Sequence, residues 1–158
     1  MKEFKNKTAI ITGGSRGIGK TICLEFAKLG ANVIFNYARH HQEAKETMDE
    51  ILQLDVNCEA IKCNLNDPVQ ISDFFSQIKS KYKSIDFLIN NAASGVHKKA
   101  SELEIKHWDW THNINAKAPW LLSIESSNLM INGGAIVNIS SLGSQKVLPN
   151  YFSVGTSK

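Results

Sequence analysis

A phenol and an ammonium seven residues apart, Tyr151 and Lys158, are the side chains in this sequence best suited to proton chemistry. On a helix, positions seven apart differ by only about 20° around the axis, so both would share one face two turns apart. Asn150 would cap that helix and start it at Tyr151. A lysine so placed can hold the ribose hydroxyls of a nicotinamide nucleotide, and its charge makes the phenol a better hydrogen-bond donor. The phenol can then steady an oxyanion while a hydride arrives. A tyrosine and a lysine on one helix are also ordinary surface residues, so the pair needs support from elsewhere.

That support lies near the other end of the chain. Thr12-Gly13-Gly14-Ser15-Arg16-Gly17-Ile18-Gly19 follows an apolar run, Thr8-Ala9-Ile10-Ile11, and precedes apolar residues at helical spacing, Ile18, Ile22, Phe26 and Leu29. Strand, glycine turn and helix in that order let a pyrophosphate approach the backbone and meet the unpaired N–H groups of a helix start. The spacing is Gly-x-x-x-Gly-x-Gly, not the commoner Gly-x-Gly-x-x-Gly, and a glycine-rich turn alone can be nothing more than a turn. A second strand over residues 33–37 leads into Ala38-Arg39-His40-His41, with no acid before Glu43. An acid there would bind a ribose hydroxyl, whereas Arg39 and Arg16 suit a 2′-phosphate, which favours NADPH over two merely solvated arginines. His40 and His41 are adjacent, cannot converge on a metal, and read as loop residues.

Three further features could belong to the same site. Asn90-Asn91-Ala92-Ala93 follows a fourth strand; its small residues would let a cofactor lie against the backbone, although a tight structural turn would look similar. Asn115 sits in a helical pattern that disfavours it, and either marks a kink or surface position or orders water behind the lysine. Ser140-Ser141 ends a fifth strand.

The elements that must position these groups alternate. Gly30 is placed as a helix C-cap, and Ala44, Met48, Ile51 and Leu52 mark the second helix. A third strand is expected over 59–65, and Asp67-Pro68 reads as N-cap and first residue of a helix burying Ile71, Phe74, Phe75 and Ile78. Strands over 87–89 and 135–139 flank a long helix, 104–130, bent at Pro119. Because the strands are continuous apolar runs, both sheet faces must be covered. The expected fold is α/β, a Rossmann-type doubly wound parallel sheet, with its ligand beyond the C-terminal strand ends.

Composition bounds the rest. The chain has 158 residues, 42% hydrophobic and 21% charged, which suits a single globular domain spanning residues 1–158. A net charge of +3 without a basic block argues against nucleic acid, and no apolar stretch approaches a membrane span. The charged N-terminus is not a signal peptide. Cys58 and Cys63 are an odd number of residues apart on a strand and face opposite ways, while Cys23 lies in the first helix. Neither disulfides nor a metal site follow; the expectation is reduced thiols in the cytoplasm.

In family order, Thr12-Gly13-x-x-x-Gly17-Ile18-Gly19, Asn90-Asn91-Ala92-Ala93, Asn115, Ser141 and Lys158 resemble the short-chain dehydrogenase/reductases. Those enzymes usually pair Tyr-x-x-x-Lys, which would require tyrosine at position 154, where this chain has Val154. Tyr151 with Lys158 instead resembles the spacing of enoyl-acyl-carrier-protein reductases. Asn36-Tyr37-Ala38-Arg39, His107-Trp108-Asp109-Trp110-Thr111, Asn113-Ile114-Asn115-Ala116-Lys117 and Ile139-Ser140-Ser141-Leu142-Gly143-Ser144 are similar to the bacterial NADPH-dependent type III enzymes.

The resemblance implies reduction of a trans-2-enoyl thioester on acyl carrier protein (or coenzyme A), in fatty-acid biosynthesis, by a homotetramer. Tyr151, Lys158, Ser141 and Asn115 would be its catalytic residues. Gly13, Ser15, Arg16, Gly17, Ile18, Gly19, Arg39, Asn64, Leu65, Asn91, Ala92, Ala93 and Lys158 would bind NADPH. It also implies a chain continuing past Lys158. The expectation is therefore a family fold lacking its last strands, a fraying terminal helix, an exposed apolar fifth strand and low turnover. Two other readings stay open, a ketone- or alcohol-specific short-chain reductase and a non-catalytic nucleotide-binding fragment; Val154 argues against the first.

Overall fold

The computed structural model describes residues 2–158. Five strands form one parallel sheet: β1 (Thr8–Thr12), β2 (Asn32–Tyr37), β3 (Cys58–Lys62), β4 (Phe87–Asn90) and β5 (Ala135–Asn138), in spatial order β3-β2-β1-β4-β5. The order reverses between β1 and β4, which opens a crevice at their C-terminal ends. The expected doubly wound α/β fold is the one observed. Helices α1 (Gly17–Lys28), α2 (His41–Leu52) and α3 (Pro68–Lys81) follow the first three strands.

Alternate strand residues feed two cores, which is why the strands read as unbroken apolar runs. Ile10, Ile34 and Leu88 pack with Phe74, Phe75 and Ile78 of α3 on one face. Ala9, Ile11, Val33, Phe35 and Ile89 pack with Cys23 and Ala27 of α1 and Ala44 and Ile51 of α2 on the other. Cys58 and Cys63 fall to opposite cores, as their spacing requires, and all three cysteines are free. Asp67 caps α3 by accepting from the Val69 N–H at 2.9 Å, with Pro68 at its first position. Gly30 follows α1 with φ +92°. β3 is shorter than expected, since its last part leaves the ladder to reach the crevice.

The buried stripe of α1 is Gly19, Cys23 and Ala27, not the apolar series beginning at Ile18. Ile18 is 67% exposed. The helix approaches the sheet so closely that a Cβ at Gly19 would collide with the Gly13 carbonyl and lie 2.7 Å from Asn91 Nδ2. Small residues therefore occupy the inner face and the larger ones are turned outward. Leu52 likewise projects from α2, where buried Thr47 takes the inward place.

The expected long helix is three pieces: α4 (Ile105–His112), a π-helical turn (Asn113–Lys117) and α5 (Ala118–Ser127). Pro119 cannot donate a backbone N–H, and the strain is taken up just before it: the Ala118 N–H donates to the Asn113 carbonyl, five residues back. The final helix is also corrected. α6 spans only Phe152–Thr156; Tyr151 is its cap residue and Asn150, with φ +59°, lies outside it. Lys158 follows the helix end, so the two-turn helical face expected for Tyr151 and Lys158 does not form. β5 has one free edge and all its residues are exposed, Val137 to 44%, as expected. No helix among the described residues is long and apolar enough to cross a membrane.

Replacing Leu88 with alanine should lower the unfolding free energy by about 2–5 kcal/mol. Ile18→Ala should change it by less than about 0.5 kcal/mol. Denaturant titration of both variants checks this; equal losses would contradict the assignment of faces.

Candidate active site

At the C-terminal strand ends lies a cleft of about 530 Å³. Its floor is the glycine turn between β1 and α1, where Gly13 and Gly17 have φ of +69° and +55°, values that favour glycine. A Cβ at Gly17 would meet no atom within 4 Å, so this side of the turn is open. No side chain caps α1 and no acid stands in its first turn, which leaves its first N–H groups for an anion.

Side-chain amides hold the turn in place. Asn36 Oδ1 accepts from the Gly13 N–H at 3.0 Å, and its Nδ2 donates to the Cys63 carbonyl at 2.9 Å. Asn91 Nδ2 donates to the Thr12 carbonyl at 2.9 Å, while Thr12 Oγ1 accepts from the backbone N–H groups of Asn91 and Ala92. The buried Thr47 hydroxyl donates to the Ser15 carbonyl at 3.0 Å. The turn is thus fixed from β2, β4 and α2 before any ligand arrives.

Among the residues expected to hold the cofactor, Gly13, Ser15, Arg16, Gly17, Arg39, Asn64, Leu65, Asn91, Ala92 and Ala93 line the cleft. Ile18 and Gly19 do not: the first faces solvent and the second packs the helix on the sheet. Lys158 lies outside this lining as well. The sequence reading missed Asn36, His40, Ser94 and Trp110. Asn36 carried a signal, a polar residue within an apolar buried strand. His40 is not simply a loop residue: it borders the cleft beside Arg39, and its Nδ1 is 3.1 Å from Glu43 Oε1. His41 opens α2 and meets the Tyr37 hydroxyl at 2.8 Å. The Glu43 carboxyl is held below its ordinary range, chiefly by its own backbone N–H, then by His40 and Arg16. Arg16, Arg39 and the open turn together fit a nucleotide carrying an extra phosphate.

A second group of residues gathers beside the cleft. Ser141 Oγ and Tyr151 OH are 3.2 Å apart, and Ser140 Oγ donates to the Lys158 carbonyl at 3.3 Å. Asn115, in the π-helical turn, is buried, which removes the surface reading. Its Oδ1 accepts from the Ser94 N–H at 2.9 Å, and its Nδ2 donates to the Ser94 carbonyl at 2.7 Å and to Ser157 Oγ at 2.9 Å. Asn115 therefore ties the loop after β4 to the residue beside Lys158. Burial pushes the Lys158 ammonium below its usual pKa of 10.5. Among the described residues no cluster of His, Cys, Asp or Glu could hold a metal.

A glycine-turn cleft where the strand order of a parallel sheet reverses is the place at which this class of fold receives a dinucleotide. The chain belongs to the short chain dehydrogenase family, which matches residues 7–158. It is 31% identical over 158 residues to a hydroxynaphthalene reductase-like protein of Metarhizium robertsii, covering 99% of this chain and 59% of that one. It is 30% identical over 155 residues to the 1-cyclohexenylcarbonyl-CoA reductase of Streptomyces collinus, covering 98% and 55%. A metagenomic short-chain oxidoreductase solved in complex with NADP superposes with a TM-score of 0.93 at 30% identity, covering 99% of this chain and 72% of that one. The chain spans a little over half the length of these curated relatives.

The lowered Lys158 pKa carries a sign. The ammonium disfavours the fold below its depressed pKa, and this cost fades as pH rises towards 10.5. Lys158→Met should therefore stabilise at neutral pH. Above pH 10.5 the gain should vanish. Thermal melts at the two pH values check it; a gain that grows with pH would contradict it.

Proposed function

We propose that this protein is an NADPH-dependent reductase of trans-2-enoyl thioesters carried on acyl carrier protein or coenzyme A. The observation that carries the reading is the 3.2 Å approach of Tyr151 OH to Ser141 Oγ. One turn along the same helix, Val154 is 6% exposed and offers no phenol. Bound NADPH supplies the hydride. Gly13, Ser15, Arg16 and Gly17 would hold its pyrophosphate, Arg16 and Arg39 its 2′-phosphate, and Lys158, from beside the cleft, its ribose hydroxyls. Asn64, Leu65, Asn91, Ala92 and Ala93 line the cleft and would flank it.

When hydride adds to the β-carbon of an enoyl thioester, the electron pair moves to the thioester oxygen. Tyr151 donates a hydrogen bond to that oxygen and Ser141 directs the phenol; as the carbonyl re-forms, the electron pair returns to the α-carbon, which takes a proton from solvent. The oxygen of such a substrate lies farther from the hydride acceptor than in a ketone, which suits a phenol set farther from Lys158 along the chain. By its chemical structure, the substrate in the name of the Streptomyces relative is an α,β-unsaturated thioester. Fatty-acid biosynthesis in the cytoplasm is the corresponding role. The exposed Trp120 and Ile124 of α5 suit a homo-oligomer.

Ketone reduction is the second reading, favoured by the hydroxynaphthalene reductase-like relative. Crotonyl and acetoacetyl thioesters separate the two, with the crotonyl substrate expected to turn over faster. Tyr151→Phe should then cut kcat by on the order of 10²–10⁴. Arg39→Ala should reduce the preference for NADPH over NADH by on the order of ten- to a hundredfold. Unchanged crotonyl turnover in Tyr151→Phe would defeat the mechanism, and NADPH binding without any turnover would favour a binding fragment.

A further inference from the structure

The Tyr151 ring lies directly on the backbone of the short turn that follows β5. A Cβ built at Gly143 would stand 2.5 Å from Tyr151 Cε1 and collide with Cδ1 as well. Gly155 brings α6 onto the same turn: a Cβ there would be 2.6 Å from the Gly143 carbonyl oxygen. Neither glycine has a positive φ, so what these positions require is space. The ring also meets His97 edge-on, with centroids 5.2 Å apart and planes at 73°.

This turn, Leu142–Ser144, is capped by Ser141, whose Oγ accepts from the Gly143 N–H at 3.3 Å. The support under the ring and the hydroxyl partner of the phenol thus belong to four consecutive residues. Elsewhere on α6, Val154 is seated against Gly95, where a Cβ would strike Val154 Cγ2. Two missing side chains, at 143 and 95, accommodate a phenol at 151 and a buried aliphatic side chain at 154.

We propose that Gly143 is a positioning residue for Tyr151: its bare α-carbon is the seat that lets the phenol reach Ser141. The inference rests on the reading of Tyr151 as the working phenol of a reductase. An added methyl group must displace the ring by about 1 Å to restore van der Waals contact. A misplacement of that size is worth about 10²-fold in turnover. The nucleotide cleft is built on other elements and should keep its affinity.

The test is Gly143→Ala in protein labelled with 3-fluorotyrosine. There are three tyrosines, and Tyr151→Phe assigns the resonance of interest. Gly143→Ala should shift the Tyr151 fluorine resonance, leave those of Tyr37 and Tyr82 in place, and leave the NADPH dissociation constant unchanged. It should lower kcat about 10²-fold, yet add nothing further in the Tyr151→Phe background. An unmoved Tyr151 resonance overturns the proposal, as does an equal loss of turnover in both backgrounds. Should Gly143→Ala not fold, adding Tyr151→Ala removes the clashing ring: recovered folding supports the seat and continued unfolding overturns it. If Tyr151→Phe alone leaves turnover untouched, the functional reading fails while the fluorine shift still decides the seat.

Discussion

The site depends on how the sheet deals with backbone groups at the ends of its strands. A parallel ladder stops pairing where its strands stop, and buried N–H and C=O groups left there must find partners. Three asparagine side chains supply them. Asn36 satisfies Gly13 and Cys63, Asn91 satisfies Thr12, and Asn115 satisfies both backbone groups of Ser94. An amide can donate and accept at once, which a hydroxyl does with poorer reach and a carboxylate does not do at neutral pH. These bonds hold the loops at the strand ends apart, and the cleft is the space they keep open.

Close approach is the complementary requirement. Gly19 lets α1 lie over the glycine turn, and Gly143 lets the Tyr151 ring lie on the turn after β5. At both places an absent Cβ permits a close approach to backbone: that of α1 to the Gly13 carbonyl in one case, that of the Tyr151 ring to the turn in the other. The half-buried Lys158 ammonium adds charge where water is partly excluded, and there its field is felt more strongly than in bulk solvent.

Much of this is legible in the residues themselves. Continuous apolar strands, the glycine turn, Asp67-Pro68 and the Arg16/Arg39 pair each have one dominant physical cause, and each stands where the sequence places it. The misreadings share a different origin: tertiary contacts override a local pattern. Apolar spacing in α1 points to Ile18, but close packing demands Gly19, Cys23 and Ala27 on the inner face. Pro119 announces a break, yet the strain is displaced into Asn113–Lys117 because a π-helical turn accommodates the missing donor. Asn150 looks like a cap, but its left-handed backbone ends the preceding loop, and α6 begins later and ends sooner than a seven-residue spacing suggests. His40 could not be placed from sequence, since only the path of β2 brings it to the cleft.

On the proposed reading, Tyr151 serves a hydride addition made remote from the oxygen it steadies. The most direct measurement uses NADPH deuterated at the transferable position of its nicotinamide C4, incubated with the protein and a mixture of crotonyl and acetoacetyl thioesters. Mass spectrometry and NMR then locate the label. Deuterium on the β-carbon of the butyryl product is the predicted result. An unreacted crotonyl thioester, with label appearing instead at the carbinol carbon of a reduced acetoacetyl thioester, would contradict it.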